Sequence, residues 1–142
     1  VAFWKALLEG MDMYKKYLEL TKEDKPVSQL RDDNLLMKPV THMALAHVAY
    51  YAKQKGIEWS EVVEKLNKVN WSMDNSLWFN ILVVPAKKKK VITGKESIKA
   101  AGLVISYMVM GESMSEDEVA EVREIIRNAT NDEKDELPTI ID

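Results

Sequence analysis

The residues with the clearest chemical potential are four consecutive lysines, Lys87–Lys90, which follow an apolar run that ends at Pro85. Two further lysines, Lys95 and Lys99, come at the start of the next predicted helix. Ammonium groups and the N–H groups of a helix N-terminus both attract phosphate, so this stretch could contact a nucleic-acid backbone without reading its sequence. The alternative is a solvated loop, in which adjacent ammonium groups repel one another.

Other residue types offer little for metal binding or catalysis. The two histidines, His42 and His47, are five residues apart, which turns them about 140° from each other on a helix, so they cannot share a metal ion. We interpret His47, on an apolar stripe, as a hydrogen-bonded core residue. The cluster Asp32-Asp33-Asn34 could bind a cation, but a solvated loop is the simpler interpretation.

Catalytic patterns are missing from the sequence. The sequence contains no cysteine, no glycine-rich phosphate loop and no array of paired carboxylates. We therefore expect no metal, no cofactor and no catalytic residues, and an enzymatic function ranks behind two binding functions.

Two tryptophans form a second notable motif. Trp71 and Trp78 stand seven residues apart, with Asn75 between them. We interpret the three residues as a structural clasp, in which the indoles cover the core and the asparagine side chain closes a turn.

Apolar periodicity predicts helices along nearly the whole chain. Predicted helices cover roughly residues 2–20, Pro39 to Gly56, 59–69, 96–111 and 116–130. Predicted N-terminal caps are Ser60, Thr93–Glu96 and Ser115–Glu118.

Phe79–Val84 is a strand candidate, but we favour the end of a short helix that starts near Asn75 and stops at Pro85. The predicted fold is all-α, an irregular bundle of five to six helices with at most one short hairpin.

Length and charge suggest how the chain is organised. Its 142 residues, of which 46% are hydrophobic and 30% charged, suit a single helical domain over 1–130 with an acidic tail at 131–142. Residues 112–142 contain eleven acidic and three basic residues, a net charge of −8, whereas residues 1–111 carry +5.

Neither a signal peptide nor an apolar run of membrane length is visible, so we expect a cytoplasmic protein with no membrane partner. Because a helical pattern starts at Val1, we interpret the chain as a fragment of a longer protein.

The stretch NKVNWSMDNSLWFNILVVPAKKKKVITGKESIKAAGLVIS resembles the C-terminal helical region of DGQHR-domain proteins, in particular the DndB family of bacterial DNA phosphorothioation systems. The preceding DDNLLMKPVTHMALAHVAYYA is similar to that family as well. The resemblance covers about Arg31 to Gly111 and includes Trp71, Asn75 and Trp78.

The resemblance implies an accessory or regulatory role, because proteins of this family bind DNA and repress their own operon while other proteins perform the sulfur chemistry. The namesake Asp-Gly-Gln-His-Arg motif, which belongs to an N-terminal domain, is absent from this chain. We therefore predict a DNA-associated regulatory module whose lysine stretch contacts duplex phosphates. The alternative is a protein-interaction or oligomerisation domain that binds itself or other proteins of the modification system, with no direct DNA contact.

Overall fold

A computed structural model of the chain describes residues 2–23, 34–86, 90–130, 137–138 and 140–141. Within these ranges the chain forms six α-helices: α1 (Ala2–Gly10), α2 (Asp12–Lys22), α3 (Pro39–Gln54), α4 (Trp59–Leu66), α5 (Lys95–Met110) and α6 (Glu116–Thr130). Short 3-10 turns cover Leu35–Met37, Ser76–Trp78 and Gly111–Ser113, and β1 (Val83–Val84) pairs antiparallel with β2 (Lys90–Val91). The prediction of an all-α bundle with at most one short hairpin is confirmed. None of the described helices is long and apolar enough to cross a membrane.

Helices α3 and α5 form the centre of the bundle, and eleven of the sixteen residues of α5 are buried. Gly102 allows the two helices to approach closely, because a Cβ at this position would lie 2.7 Å from the Cβ of His47. The helices run parallel, since Gly102 meets Ala44 and His47 near mid-helix, while Gly56 and Met110 line one cleft at the C-terminal ends.

Helix α6 packs antiparallel to α5, which gives the bundle two distinct ends. At one end, Asn80 Nδ2 donates to the carbonyl of Ala129 at 2.8 Å. At the other end, Lys55 Nζ donates to Glu118 Oε1 at 2.8 Å. We call the first the hairpin end, because it contains β1, β2 and the N-termini of α3 and α5, and the second the acidic end.

The prediction of one helix over residues 2–20 is wrong, because the chain breaks at Met11. The Asn67 side chain accepts a hydrogen bond from the Asp12 N–H (3.0 Å) and donates one to the Gly10 carbonyl (2.8 Å), so it partners a backbone group at each helix end. A Cβ on Gly10 would lie 2.5 Å from Val63 Cγ1, so the glycine lets α1 pack tightly on α4.

The predicted cap at Ser60 is wrong. The capping position of α4, which begins at Trp59, is occupied by Glu58, two residues before Ser60, and no side chain caps the helix. This start places the Trp59 ring edge-on to Phe3, with ring centroids 5.2 Å apart.

The remaining two predicted caps have opposite outcomes. Gly94, not Thr93, occupies the capping position of α5 and no side chain caps the helix, because Thr93 lies one residue too early. The cap of α6 is confirmed, since Ser115 Oγ accepts from the Glu118 N–H (3.2 Å) and Glu118 Oε1 accepts from the Ser115 N–H (3.0 Å).

The short helix predicted to end at Pro85 stops instead at Trp78, and the strand alternative is correct at Val83–Val84. Asn80 causes the change of direction, because its φ of +63° is the left-handed conformation that asparagine tolerates. Its N–H donates to the Val83 carbonyl at 2.8 Å, which fixes the turn.

Helical periodicity predicts inward positions for four large apolar residues that the structure exposes: Trp4 (40%), Leu8 (53%), Leu18 (45%) and Met43 (55%). The first three were assigned to one continuous helix, and the break at Met11 separates their faces. Met43 points outward because α3 buries Val40 and Ala44 on other sides.

Candidate functional site

The tryptophan clasp lies in the core beside the hairpin. The Trp71 and Trp78 rings stack with centroids 5.5 Å apart and planes 6° from parallel. Each indole N–H has a carbonyl partner: Trp71 Nε1 donates to Leu66 (3.0 Å) and Trp78 Nε1 donates to Asn70 (2.8 Å). Both rings are buried, so the pair combines apolar burial with satisfied polar atoms.

Asn75 closes the loop between the two tryptophans. Its Oδ1 accepts from the Leu77 N–H at 3.2 Å, and its Nδ2 donates to the Asn70 carbonyl at 3.0 Å. The Asn70 carbonyl therefore accepts from both Asn75 and Trp78. None of the three clasp side chains titrates near neutral pH. That the clasp stabilises the fold stays a prediction.

Of the lysines predicted to contact phosphate, the three that the structure describes lie at the hairpin end. Lys87, Lys88 and Lys89 lie outside the described residues. Lys90 is exposed on β2, and Lys95 and Lys99 are exposed on the first two turns of α5. Lys95 and Lys99 are four residues apart, so they share one face of the helix.

Net positive charge is concentrated in the sequence segment of residues 87–99. Residues 87–99 contain six lysines and one glutamate, a net charge of +5 that equals the whole net charge of residues 1–111. The N-termini of α3 and α5 lie at the hairpin end, and neither has a side-chain cap. Their helix dipoles add positive potential there, which Glu96 in the first turn of α5 and the negative C-terminus of α6 partly offset.

Negative charge lies at the acidic end. The first turn of α6 contains Glu116, Asp117 and Glu118. Because α6 has 15 residues, this turn lies about 22 Å along the bundle from the hairpin end. The three carboxylates of this turn are therefore separated in space from Lys90, Lys95 and Lys99. The predicted acidic tail begins with residues 131–136, which lie outside the described part of the chain.

Comparison with known proteins identifies the family. A family model described as "DndB: DNA-sulfur modification-associated" matches residues 1–110. The chain belongs to the DndB family. The match confirms the DndB resemblance and includes the clasp, the six lysines of residues 87–99 and the N-terminal helices. No curated protein and no solved structure matches the chain.

The histidines of this DndB-family chain have structural surroundings. His42 Nε2 lies 2.7 Å from the Leu36 carbonyl, so this nitrogen carries a proton and donates. His47 is half-buried against Gly102, and its ring makes no hydrogen bond to another described residue, so its predicted hydrogen bond is wrong. The described residues contain no group of three or more potential metal ligands. Asp32 and Asp33 lie outside them.

Glu118 is the carboxylate with a shifted pKa at the acidic end. The hydrogen bond from Lys55 Nζ lowers the pKa of Glu118 below its ordinary value of 4.5, and the Ser115 N–H lowers it further. The same carboxylate thus caps α6 and ties the helix to the end of α3.

An apolar groove between α1, α2 and α3 is a feature that the sequence reasoning missed. It encloses about 640 Å³ and is lined by Trp4, Leu7, Leu8, Tyr14, Tyr17, Leu18, Met37 and His42. Burial raises the pKa of Tyr14 to about 12, so this hydroxyl stays protonated at neutral pH. The surplus of apolar residues on α1 and α2, beyond the width of one core stripe, is the sequence signal that could have indicated the groove.

Proposed function

We propose that this DndB-family chain is an accessory or regulatory module of a bacterial DNA phosphorothioation system that contacts DNA phosphates through its hairpin end. The observation that carries the proposal is the charge of residues 87–99, which hold the entire positive excess of residues 1–111 within the family-matched range. In this proposal, other proteins of the system perform the sulfur chemistry.

The geometry supports contact with the backbone in preference to the bases. Lys90, Lys95 and Lys99 are exposed and extend from a hairpin strand and a helix start. No side chain caps the helix that begins at Lys95, so its first-turn N–H groups add to the attraction for phosphate. Ammonium groups contact phosphate oxygens without selecting a base sequence, so binding should be weak, general and sensitive to salt.

The position of the acidic end supports one orientation of the chain on DNA. The carboxylates at the start of α6 would repel phosphate, and they lie a full helix length from the lysines. A duplex should therefore approach the hairpin end in preference to the start of α6.

Salt-dependent binding to duplex DNA tests the proposal. If the four lysines of the hairpin loop each neutralise one phosphate, the log–log slope of affinity against salt should be about −3.6. The hairpin variant K87Q/K88Q/K89Q/K90Q should lose most of this slope. A control variant replaces four exposed lysines of α1 and α2, with the same change in net charge: K5Q/K15Q/K16Q/K22Q.

The control variant decides between a local surface and general electrostatic attraction. The proposal expects the control variant to keep the parent slope. An equal loss in both variants would show that only net charge matters, and an unchanged hairpin variant would leave the lysines as a solvated loop. Either result would reject the hairpin end as the DNA-contacting surface.

The second candidate function is a protein-interaction or oligomerisation domain without direct DNA contact. The exposed apolar groove is the observation that favours it. A concentration-dependent mass together with no measurable DNA binding would favour this function over the first.

A further inference from the structure

Exposed apolar side chains are concentrated on one part of the molecule. Of the six large hydrophobic residues exposed within the described ranges, only Val84 lies on the hairpin. The other five belong to α1, α2 and α3, and they are Trp4, Leu8, Leu18, Met43 and Tyr50. We call these five residues, together with the groove that Trp4, Leu8 and Leu18 line, the apolar face. A clustered apolar surface on a soluble domain is typical of an interaction site.

The groove in this face offers little polar bonding to a ligand. The Tyr14 hydroxyl (3.1 Å) and the His42 Nε2–H (2.7 Å) both donate to the Leu36 carbonyl, so these donors are already used inside the chain. What remains towards solvent is mainly aromatic and aliphatic surface from residues such as Trp4 and Leu8. The groove therefore suits an apolar occupant.

Helix α3 supplies a projecting row beside the groove. Measured around the helix from His42, which lines the groove, Ala46 lies at about 40°, Tyr50 at about 80° and Met43 at about 100°. All three are exposed. Residues 39–52 contain no charged side chain, although this face of α3 meets solvent. A soluble helix normally carries charge on an exposed face, so the row is better explained by a covering partner.

We propose that the apolar face pairs with the same face of a second copy of this chain, the α3 row of each copy packing into the groove of the other. A groove and a row side by side on one face are self-complementary about a two-fold axis, because one rotation satisfies both contacts at once. The absence of charged residues over 39–52 also lets two chains of net charge −3 meet along the α3 row without placing like charges in contact there. An uncharged apolar surface gives no such match to a nucleic acid.

The inference does not depend on the proposed DNA contact, since the lysines of residues 87–99 are not part of the apolar face. The mass of the chain by sedimentation velocity, over about 1–200 µM, tests it. Two exposed positions probe the groove and the row separately, through Leu8→Glu and Met43→Glu. The matched control is Val84→Glu, which adds the same charge at an exposed apolar residue outside the face.

The parent and Val84→Glu should form a dimer, while Leu8→Glu and Met43→Glu should stay monomeric with unchanged circular dichroism. We expect the dimer to weaken by about a thousandfold, because each substitution occurs twice in a two-fold interface and each occurrence weakens it about 30-fold. A parent that is monomeric at every concentration overturns the proposal, and so does a dimer that survives both substitutions. A monomeric parent that binds a small apolar dye in the groove would assign the groove to another occupant and would also overturn it.

Discussion

The tryptophan clasp and the lysines of the hairpin end are neighbours in sequence but depend on different physics. In the clasp, Trp71 and Trp78 are buried, stacked and hydrogen-bonded through both indole nitrogens. At the hairpin end, Lys90, Lys95 and Lys99 are exposed. Substitutions in the clasp should therefore change stability, and substitutions of the lysines should change DNA affinity with little effect on stability.

The largest expected effect is that of Trp78→Ala. Removing the ring leaves a cavity, ends the stacking on Trp71 and takes one donor from the Asn70 carbonyl. The free energy of unfolding should fall by about 3–5 kcal/mol, measured by denaturant titration.

Trp78→Phe is the matched control, because it keeps an aromatic ring and loses the indole N–H. It should lose less stability than Trp78→Ala. An unchanged unfolding midpoint in Trp78→Ala, accompanied by lost DNA binding, would make Trp78 a binding residue and remove the contrast between the two regions.

A smaller effect is expected from Asn75→Ala, which deletes the two hydrogen bonds that close the loop between the tryptophans. The unfolding free energy should fall by about 1–2 kcal/mol, since both bonds are partly open to solvent. Asn75→Asp keeps the acceptor for the Leu77 N–H but cannot donate to the Asn70 carbonyl. Its unfolding free energy should therefore lie between those of the parent and Asn75→Ala. Equal stability of all three proteins would show that the loop closes without this side chain.

Glu118 at the acidic end tests whether a charged residue can also contribute to stability, as the buried clasp does and the exposed lysines should not. Its pKa is lower in the folded chain than in the unfolded chain, so its stabilisation is fully present above its ordinary pKa of 4.5 and is lost as pH falls through the lower folded pKa. In Glu118→Gln the unfolding free energy should depend less on pH in the acid range. At neutral pH it should be about 0.5–1 kcal/mol lower than in the parent. Identical acid unfolding curves for parent and variant would contradict this assignment.

The smallest expected effect on stability is that of the hairpin variant K87Q/K88Q/K89Q/K90Q. Exposed lysines contribute little to folding, so its unfolding free energy should lie within about 0.5 kcal/mol of the parent. Thermal unfolding followed by circular dichroism measures this. A loss as large as that of Asn75→Ala would make the lysine stretch structural, like the clasp.

The sequence predicted the features that depend on neighbouring residues. Helical periodicity predicted the helical bundle, and the spacing of Ser115 and Glu118 predicted a cap that the structure contains. The break at Met11 could not be predicted in the same way, because Asn67 provides its bonds from a position 55 and 57 residues further along the chain.

The candidate site shows the same limit. The clasp and the lysine stretch were visible as motifs, but the groove needs α1, α2 and α3 together, and periodicity alone assigned Leu8 and Met43 to the core. The parallel packing of α3 and α5, which brings their N-termini to the hairpin end, also depends on a distant contact between Gly102 and His47.

Lysine acetylation of the parent chain with and without duplex DNA, read by mass spectrometry at low salt, tests the DNA-contacting surface most directly. One molecule supplies both the site and its control, because Lys5, Lys15, Lys16 and Lys22 are exposed on α1 and α2. The account predicts that DNA slows acetylation at Lys87–Lys90, Lys95 and Lys99 and leaves those four control lysines unchanged. Protection spread equally over both groups, or confined to α1 and α2, would contradict it.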